Sequence, residues 1–232
     1  MSETETGVTT EQLVDAVRSA GEDATVGMIS THSAREEALR VSRQVIRLSA
    51  NSIRATHRGE FAQAQELVNK VAGLVEDMER SLEGAPAVYY AGFVQDAQKE
   101  YAEAVSTLAF ADGTPLLSPE ELKIAPAPYL NGLAESVGEL RRFILDSLRK
   151  DDFSACEGLL ETMDEVYSVL VSVDFPEAIT RGLRRNTDMV RGVLERTRAD
   201  LTVALRQRRL EQRLAAFHEA LGDSGAAEDD EH

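Results

Sequence analysis

Tyr129-Leu130-Asn131-Gly132-Leu133-Ala134-Glu135-Ser136-Val137-Gly138-Glu139-Leu140-Arg141-Arg142 carries the pattern from which the architecture follows. Tyr129, Leu133, Val137 and Leu140, continued by Ile144 and Leu148, recur every three or four residues. That is the period of an α-helix with one buried face, and it predicts a helix from about Pro128 to Lys150. Glu135, Glu139, Arg142 and Asp146 fall on its polar side, flanked by Gly132 and Gly138. Each glycine costs roughly 1 kcal/mol relative to Ala inside a helix, so their presence predicts another backbone packed close. A second stretch, Lys99-Glu100-Tyr101-Ala102-Glu103-Ala104-Val105-Ser106, belongs to a helix predicted from Pro86 to about Ala111. Its inward residues are Val94, Ala97, Tyr101, Val105 and Leu108, with Asp96, Glu100 and Glu103 together on another side. Glu100 and Glu103 share a face, as do Glu135 and Glu139. If the two helices are antiparallel neighbours, four carboxylates meet.

Working outward, a short helix is expected from Thr9 to about Ser19, followed by a loop through Gly21-Glu22-Asp23 and Gly27. Ser33-Ala34-Arg35-Glu36 reads as a capping box opening a helix to about Arg58, stopped by Gly59. At 100° per residue, Arg40, Arg43, Arg47, Arg54 and Arg58 of that helix fall within about 60° of one another, a narrow arginine rail. Glu60 to about Glu83 forms the next helix, closed by Gly84 and Pro86. Asp112-Gly113-Thr114-Pro115 is the clearest break, and the segment to Pro128 reads as a loop long enough to be functional. Helices from Asp152 to about Val173 and from a first-turn Pro176 to about Leu221 complete the chain. The pattern is all-α: seven helices, no convincing strand, no internal repeat, hence an antiparallel seven-helix bundle. Residues 1–29 form an N-terminal helix and loop, 30–221 the helical domain, and 222–232 an acidic tail expected to be disordered.

Composition narrows the class. The 232 residues are 43% hydrophobic and 5% aromatic with no Trp, which suits one mainly helical domain large enough to build its own core. A single cysteine, Cys156, excludes an intramolecular disulfide and a cysteine-rich zinc site and fits a reducing cytosol. No apolar run reaches the roughly 18 residues of a membrane span, and no basic-then-apolar leader opens the chain, so a cytoplasmic protein without membrane association is expected. The net charge of −16 opposes phosphates overall. However, 21 of the 25 basic residues are Arg, which grips phosphate bidentately and stacks on bases. Local phosphate-binding stripes are therefore compatible with the acidic whole. The acidic surplus with few Lys also points to a salt-loving source.

Five arginines on one rail repel one another unless something anionic faces them. Local partners such as Glu36, nucleic-acid phosphates or another subunit's acids would all serve. Clustered carboxylates suit Mg²⁺, a hard ion that keeps several waters and can orient one of them against a phosphate. The alternative is two acidic faces turned to solvent. His32, His57, His218 and His232 show no ligand spacing, there is no Gly-rich phosphate loop, and Cys156 reads as a core residue. Tyr89 and Tyr90 could stack on bases or fill core.

Arg35-Glu36-Glu37-Ala38-Leu39-Arg40, Glu100-Tyr101-Ala102-Glu103-Ala104 and Tyr129 through Arg142, followed by Asp146-Ser147, resemble the translin and translin-associated factor X family, in an archaeal-type form. The resemblance spans about residues 30 to 210. It implies a seven-helix bundle assembled into an octameric shell that binds single-stranded RNA or DNA, as a homo-oligomer or with a paralogous subunit. In the factor X branch it further implies a Mg²⁺-dependent endoribonuclease site, which carries over by position to Glu100, Glu103, Glu135 and Glu139 as catalytic and metal-holding residues. The family pattern has Asp where this chain has Glu135, one methylene longer. The translin branch mainly binds. The function classes are thus a metal-dependent endoribonuclease, a non-catalytic single-stranded nucleic-acid-binding oligomer that uses the arginine rail, and a helical scaffold.

Overall fold

The connections, more than the helices, set this architecture. The computed structural model describes residues 8–226, and among these there are nine helices and no strand. Six are long: α1 (Thr10–His57), α2 (Phe61–Ser81), α4 (Gly92–Asp112), α6 (Pro126–Leu148), α7 (Cys156–Ser172) and α9 (Leu183–Ala226). Three are single turns: α3 (Pro86–Tyr89), α5 (Pro119–Leu122) and α8 (Glu177–Thr180). The all-α class is as the periodicity predicts.

Cross-helix contacts give the directions. Ser52 Oγ donates to Ala64 O and Ser42 Oγ to Met78 Sδ, so α1 and α2 are antiparallel. Lys99 pairs with Glu135, and Gly92 and Pro128 line one cavity, so residue numbers rise together along α4 and α6. The same holds for α6 and α9, where Asn131 meets Asn186 and Arg141 meets Thr197. Hence α4 and α6 are parallel, not the antiparallel neighbours expected. The segment between Gly113 and Ala125 carries the chain back along the bundle, with Tyr129 Oη donating to Leu117 O. Gly113, at φ +71°, makes the sharp exit that a Cβ-bearing residue would resist. Each half is an up-down-up trio, α1-α2-α4 and α6-α7-α9.

Helix boundaries differ from expectation in five places. α1 is continuous, so the short helix, the Gly21–Gly27 loop and the cap at Ser33 are replaced by one 48-residue helix capped by Thr9 and Gln12. No proline interrupts it, and extending a formed helix through Gly21 and Gly27 costs less than nucleating a new one at Ser33. The helix expected from Pro86 is broken at Ala91, where side chains take the freed carbonyls: Gln95 Nε2 donates to Tyr89 O and an Arg181 guanidinium nitrogen to Tyr90 O. The expected loop before Pro128 contains α5, capped by Ser118 with Glu121. Pro176 opens only α8, because Arg181 (φ +50°) and Gly182 (φ +92°) reverse the chain before α9 starts. α9 in turn runs through Gly222 to Ala226, into the segment expected to be a disordered tail, and residues 227–232 lie outside the described residues.

Val45, Val71, Val75, Val94, Val137, Leu140, Ile144 and Met163 form the fully buried centre. α1 contributes nothing buried before Ala38, and α9 nothing after Leu201 among residues whose burial is described. Both long helices therefore project beyond the core, from opposite ends, carrying exposed Leu13, Val14, Val17 and Met28 on one and Val203, Leu210, Leu214 and Phe217 on the other. Among the described residues no helix is long and apolar enough to cross a membrane.

The two central helices touch at Gly132. A Cβ there would lie 2.7 Å from Ala102 Cβ and 2.8 Å from Glu103 N, and closer still to the Lys99 carbonyl oxygen. Gly138 has nothing within 4 Å of its would-be Cβ, so only one of the two glycines marks a close backbone. Gly132→Ala is thus expected to destabilise the protein by about 1–3 kcal/mol, the cost of overpacking. Gly138→Ala is expected to stabilise it by up to about 1 kcal/mol through helix propensity. Denaturant titration of both variants checks the pair of signs.

Candidate metal centre

Close approach at Gly132 brings the polar faces of α4 and α6 together one turn further along. Glu100, Glu103 and Glu135 meet there, each offering a carboxylate oxygen within 4.8 Å of the others', and all three half-buried. The i, i+3 spacing on α4 aims Glu100 and Glu103 at the same groove. Glu135 reaches it from α6. Its carboxylate is gripped by Lys99 Nζ at 2.7 and 2.8 Å, and the same ammonium lies 3.4 Å from Glu100. Burial pulls the Lys99 pKa down, but pairing with Glu135 and Glu100 outweighs it and leaves the pKa raised.

Glu103 has no cation of its own. Burial, then the charges of Glu100, Glu135 and Glu139, push its carboxyl up to about 8. A carboxyl pushed up by burial and by neighbouring carboxylates marks a deficit of positive charge. Three carboxylates with that deficit are the donor set of a hard divalent cation such as Mg²⁺. Their oxygens already lie within 4.8 Å of one another, so side-chain rotations would bring all three onto one ion. The residues fit the group.

Glu139, the fourth expected acid, stands apart from the trio. It is hydrogen-bonded to His57 Nε2 at the end of α1, an interaction that, with the nearby Arg142, holds its carboxyl below the ordinary range. The His57 ring is 6% exposed and stacks on Phe143 at 4.3 Å, and its Nδ1 has no partner among the described residues. Ligand spacing gives no sign of His57 in the sequence. It lies 82 residues from Glu139, and no local pattern links them.

The arginine rail lies on α1 opposite its buried face of Ala38, Val45, Ser49 and Thr56. All five arginines are exposed. Arg40 pairs with Glu37, Arg54 with Asn51 and Arg58 with Glu60, not with the Glu36 expected for Arg40. Among the described residues Arg43, Arg47 and Arg54 make no ion pair, which leaves three cations of the rail without a counter-charge. Cys156 is buried, as its core reading requires. Tyr89 and Tyr90 pack edge-to-face at 5.0 Å, with Tyr90 exposed.

A helical bundle with parallel central helices and a carboxylate trio across their contact defines the class. The Translin family pattern matches residues 10–197, and the chain belongs to the Translin family. An uncharacterised protein of Methanocaldococcus jannaschii is 30% identical over 183 residues, covering 78% of this chain and 81% of its own. The crystal structure of AfC3PO and that of its complex with duplex RNA are each 33% identical, with a TM-score of 0.75 over 81% of this chain and 97% of theirs. Apo-NeC3PO shares the fold at 18% identity, with a TM-score of 0.67 over 85% of this chain and 100% of its own.

Because Glu103 carries a raised pKa when folded, its contribution to the metal-free protein is full below its ordinary pKa of 4.5 and is lost as pH rises through about 8. Metal-free stability is expected to fall over that window, and Glu103→Gln to flatten the fall. Mg²⁺ affinity is expected to rise up to about pH 8 as the competing proton leaves. Thermal melts with chelator and with Mg²⁺ across the window check both signs.

Proposed function

We propose that this protein binds RNA through its phosphates and cuts it as a Mg²⁺-dependent endoribonuclease at the α4–α6 contact. The carrying observation is the convergence of Glu100, Glu103 and Glu135 from two helices, with burial and the neighbouring charges pushing the Glu103 carboxyl up. AfC3PO, similar in sequence and structure, has been solved with duplex RNA, which supports RNA as the partner class. Glu100, Glu103 and Glu135 would hold the ion. Bound there, Mg²⁺ would supply an activated water and charge stabilisation at the phosphate. The chain's own groups do the rest. Glu139, kept ionised by His57, is a proton acceptor at the edge of the site. Lys99 can exchange Glu135 for a phosphate oxygen, delivering positive charge to the substrate. Arg40, Arg43, Arg47, Arg54 and Arg58 hold the strand through backbone contacts that carry little sequence information.

One observation favours a second reading. Lys99 already neutralises Glu135 and approaches Glu100, so it can stand where a metal would. On that reading the protein binds single-stranded RNA or DNA without cutting it.

The assembly belongs to the same proposal. The projecting ends of α1 and α9 expose apolar side chains that no other described residue covers, which supports a large homo-oligomer, eight copies by family resemblance. Light scattering at high salt should give a mass several times the 25.4 kDa of one chain. A monomer mass would refute the shell.

Glu100→Gln, Glu103→Gln and Glu139→Gln are each expected to abolish cleavage of labelled single-stranded RNA in Mg²⁺ while sparing binding. Undiminished cleavage in all three would remove the nuclease site, and no cleavage by the unaltered protein would leave the binding reading. Arg43→Ala with Arg47→Ala should weaken binding to any sequence and lower the salt slope by about 0.7 for each phosphate no longer neutralised.

A further inference from the structure

A cavity of about 330 Å³ opens directly beside the carboxylate trio, sharing Glu135 with it and lined also by the Lys99 that pairs with Glu135. That is the lower end of the roughly 300–1,000 Å³ occupied by small-ligand sites, enough for one nucleotide unit. Its walls come from the N-terminal ends of three parallel helices: Gly92 begins α4, Pro128 lies in the first turn of α6, and Gly182 immediately precedes α9. Aligned peptide dipoles place partial positive charge at such ends. No side chain caps α4, whereas α6 opens Pro126-Ala127-Pro128 and has only the Ala127 N–H in its first three positions.

Charged side chains reinforce this. Arg181, Arg185 and Lys99 line the cavity against only Asp96 and Glu135, and Lys99 is already bound to Glu135. In a chain of net charge −16 this is a local reversal of sign. Arg181 is braced by donating to Tyr90 O at 2.9 Å, whereas Arg185 makes no ion pair among the described residues. The floor is polar and fixed. Asn131, 4% exposed, donates to Ala127 O and Thr180 O and accepts from Asn186. Gln95, 5% exposed, donates to Tyr89 O and Gln98 Oε1, while among the described residues its own oxygen receives no hydrogen bond. A cavity lined by arginines, with an amide oxygen that accepts no hydrogen bond from the described residues, is matched by a ligand that brings both an anion and an N–H or O–H group. A ribonucleotide does so.

We infer that this cavity is the subsite for the phosphate and ribose of the RNA nucleotide next to the one held at the carboxylates, with Arg185 and Arg181 on the phosphate. The inference rests on the RNA-cleaving reading for its neighbour, but it is tested without cleavage. Full-length Arg185→Ala, Arg185→Glu and Arg185→Lys, with melting temperatures to confirm folding, are titrated with a short single-stranded RNA in chelator. We expect about tenfold weaker binding for Arg185→Ala, a greater loss for Arg185→Glu and near-normal binding for Arg185→Lys. The salt slope of Arg185→Ala should fall by about 0.7, the increment of a single phosphate. In Mg²⁺, KM should rise while kcat stays within about twofold. Unchanged affinity and slope in folded Arg185→Glu would overturn the subsite. So would an Arg185-dependent thermal shift by inorganic phosphate with RNA binding unaffected, since the cavity would then hold a free anion. RNA binding that depends on Arg185 in a protein that never cuts would keep the subsite and reject the nuclease.

Discussion

Everything at the centre of this protein follows from the backbone contact between α4 and α6 at Gly132. With Ala102 and Ala134 fully buried beside it, the two helices approach closer than leucine-sized side chains allow. The energetic return is dispersion and apolar burial along the seam. The functional return is geometric: side chains one turn away on each helix, Glu100 and Glu103 from one and Glu135 from the other, are forced within a few ångströms. A wider separation would leave each acid solvated on its own face.

Crowding carboxylates is unfavourable, and the structure meets the cost with three different devices. Glu135 is paired with Lys99, Glu139 with His57, and Glu103 takes up a proton. The first two fix side-chain positions with hydrogen bonds. The third leaves a group whose charge can be restored when a cation arrives, which couples proton release to metal entry. This mixture of paired and unpaired acids leaves a cluster that could hold a metal ion.

Parallel packing has a second consequence. In an alternating bundle helix dipoles cancel between neighbours, but α4, α6 and α9 run the same way and gather their N-terminal ends around one cavity with Arg181, Arg185 and Lys99. Positive potential at one end of the seam thus adjoins negative charge further along it. The two regions differ in sign within one seam, and the positive one suits phosphates.

The helices and their inner faces are legible in the order of residues, because a 3.6-residue period is a local property: Leu133, Val137, Leu140 and Ile144 point inward for the same reason they repeat. So is the sharing of a face by Glu100 and Glu103, which are one turn apart in any helix. Helix direction is not legible there, because the connection after Gly113 can lead to either packing and only the fit of Gly132 against Lys99 and Glu103 chooses between them. Gly21, Gly27 and Ser33 read as boundaries and are not, because breaking and capping signals are weak beside helix propagation. His57, Arg181 and Arg185 carry no local mark of a site, lying on distant segments without a shared spacing. Their place at the border of the α4–α6 seam is a product of packing, because side chains from separate helices become neighbours only when the backbones between them can touch.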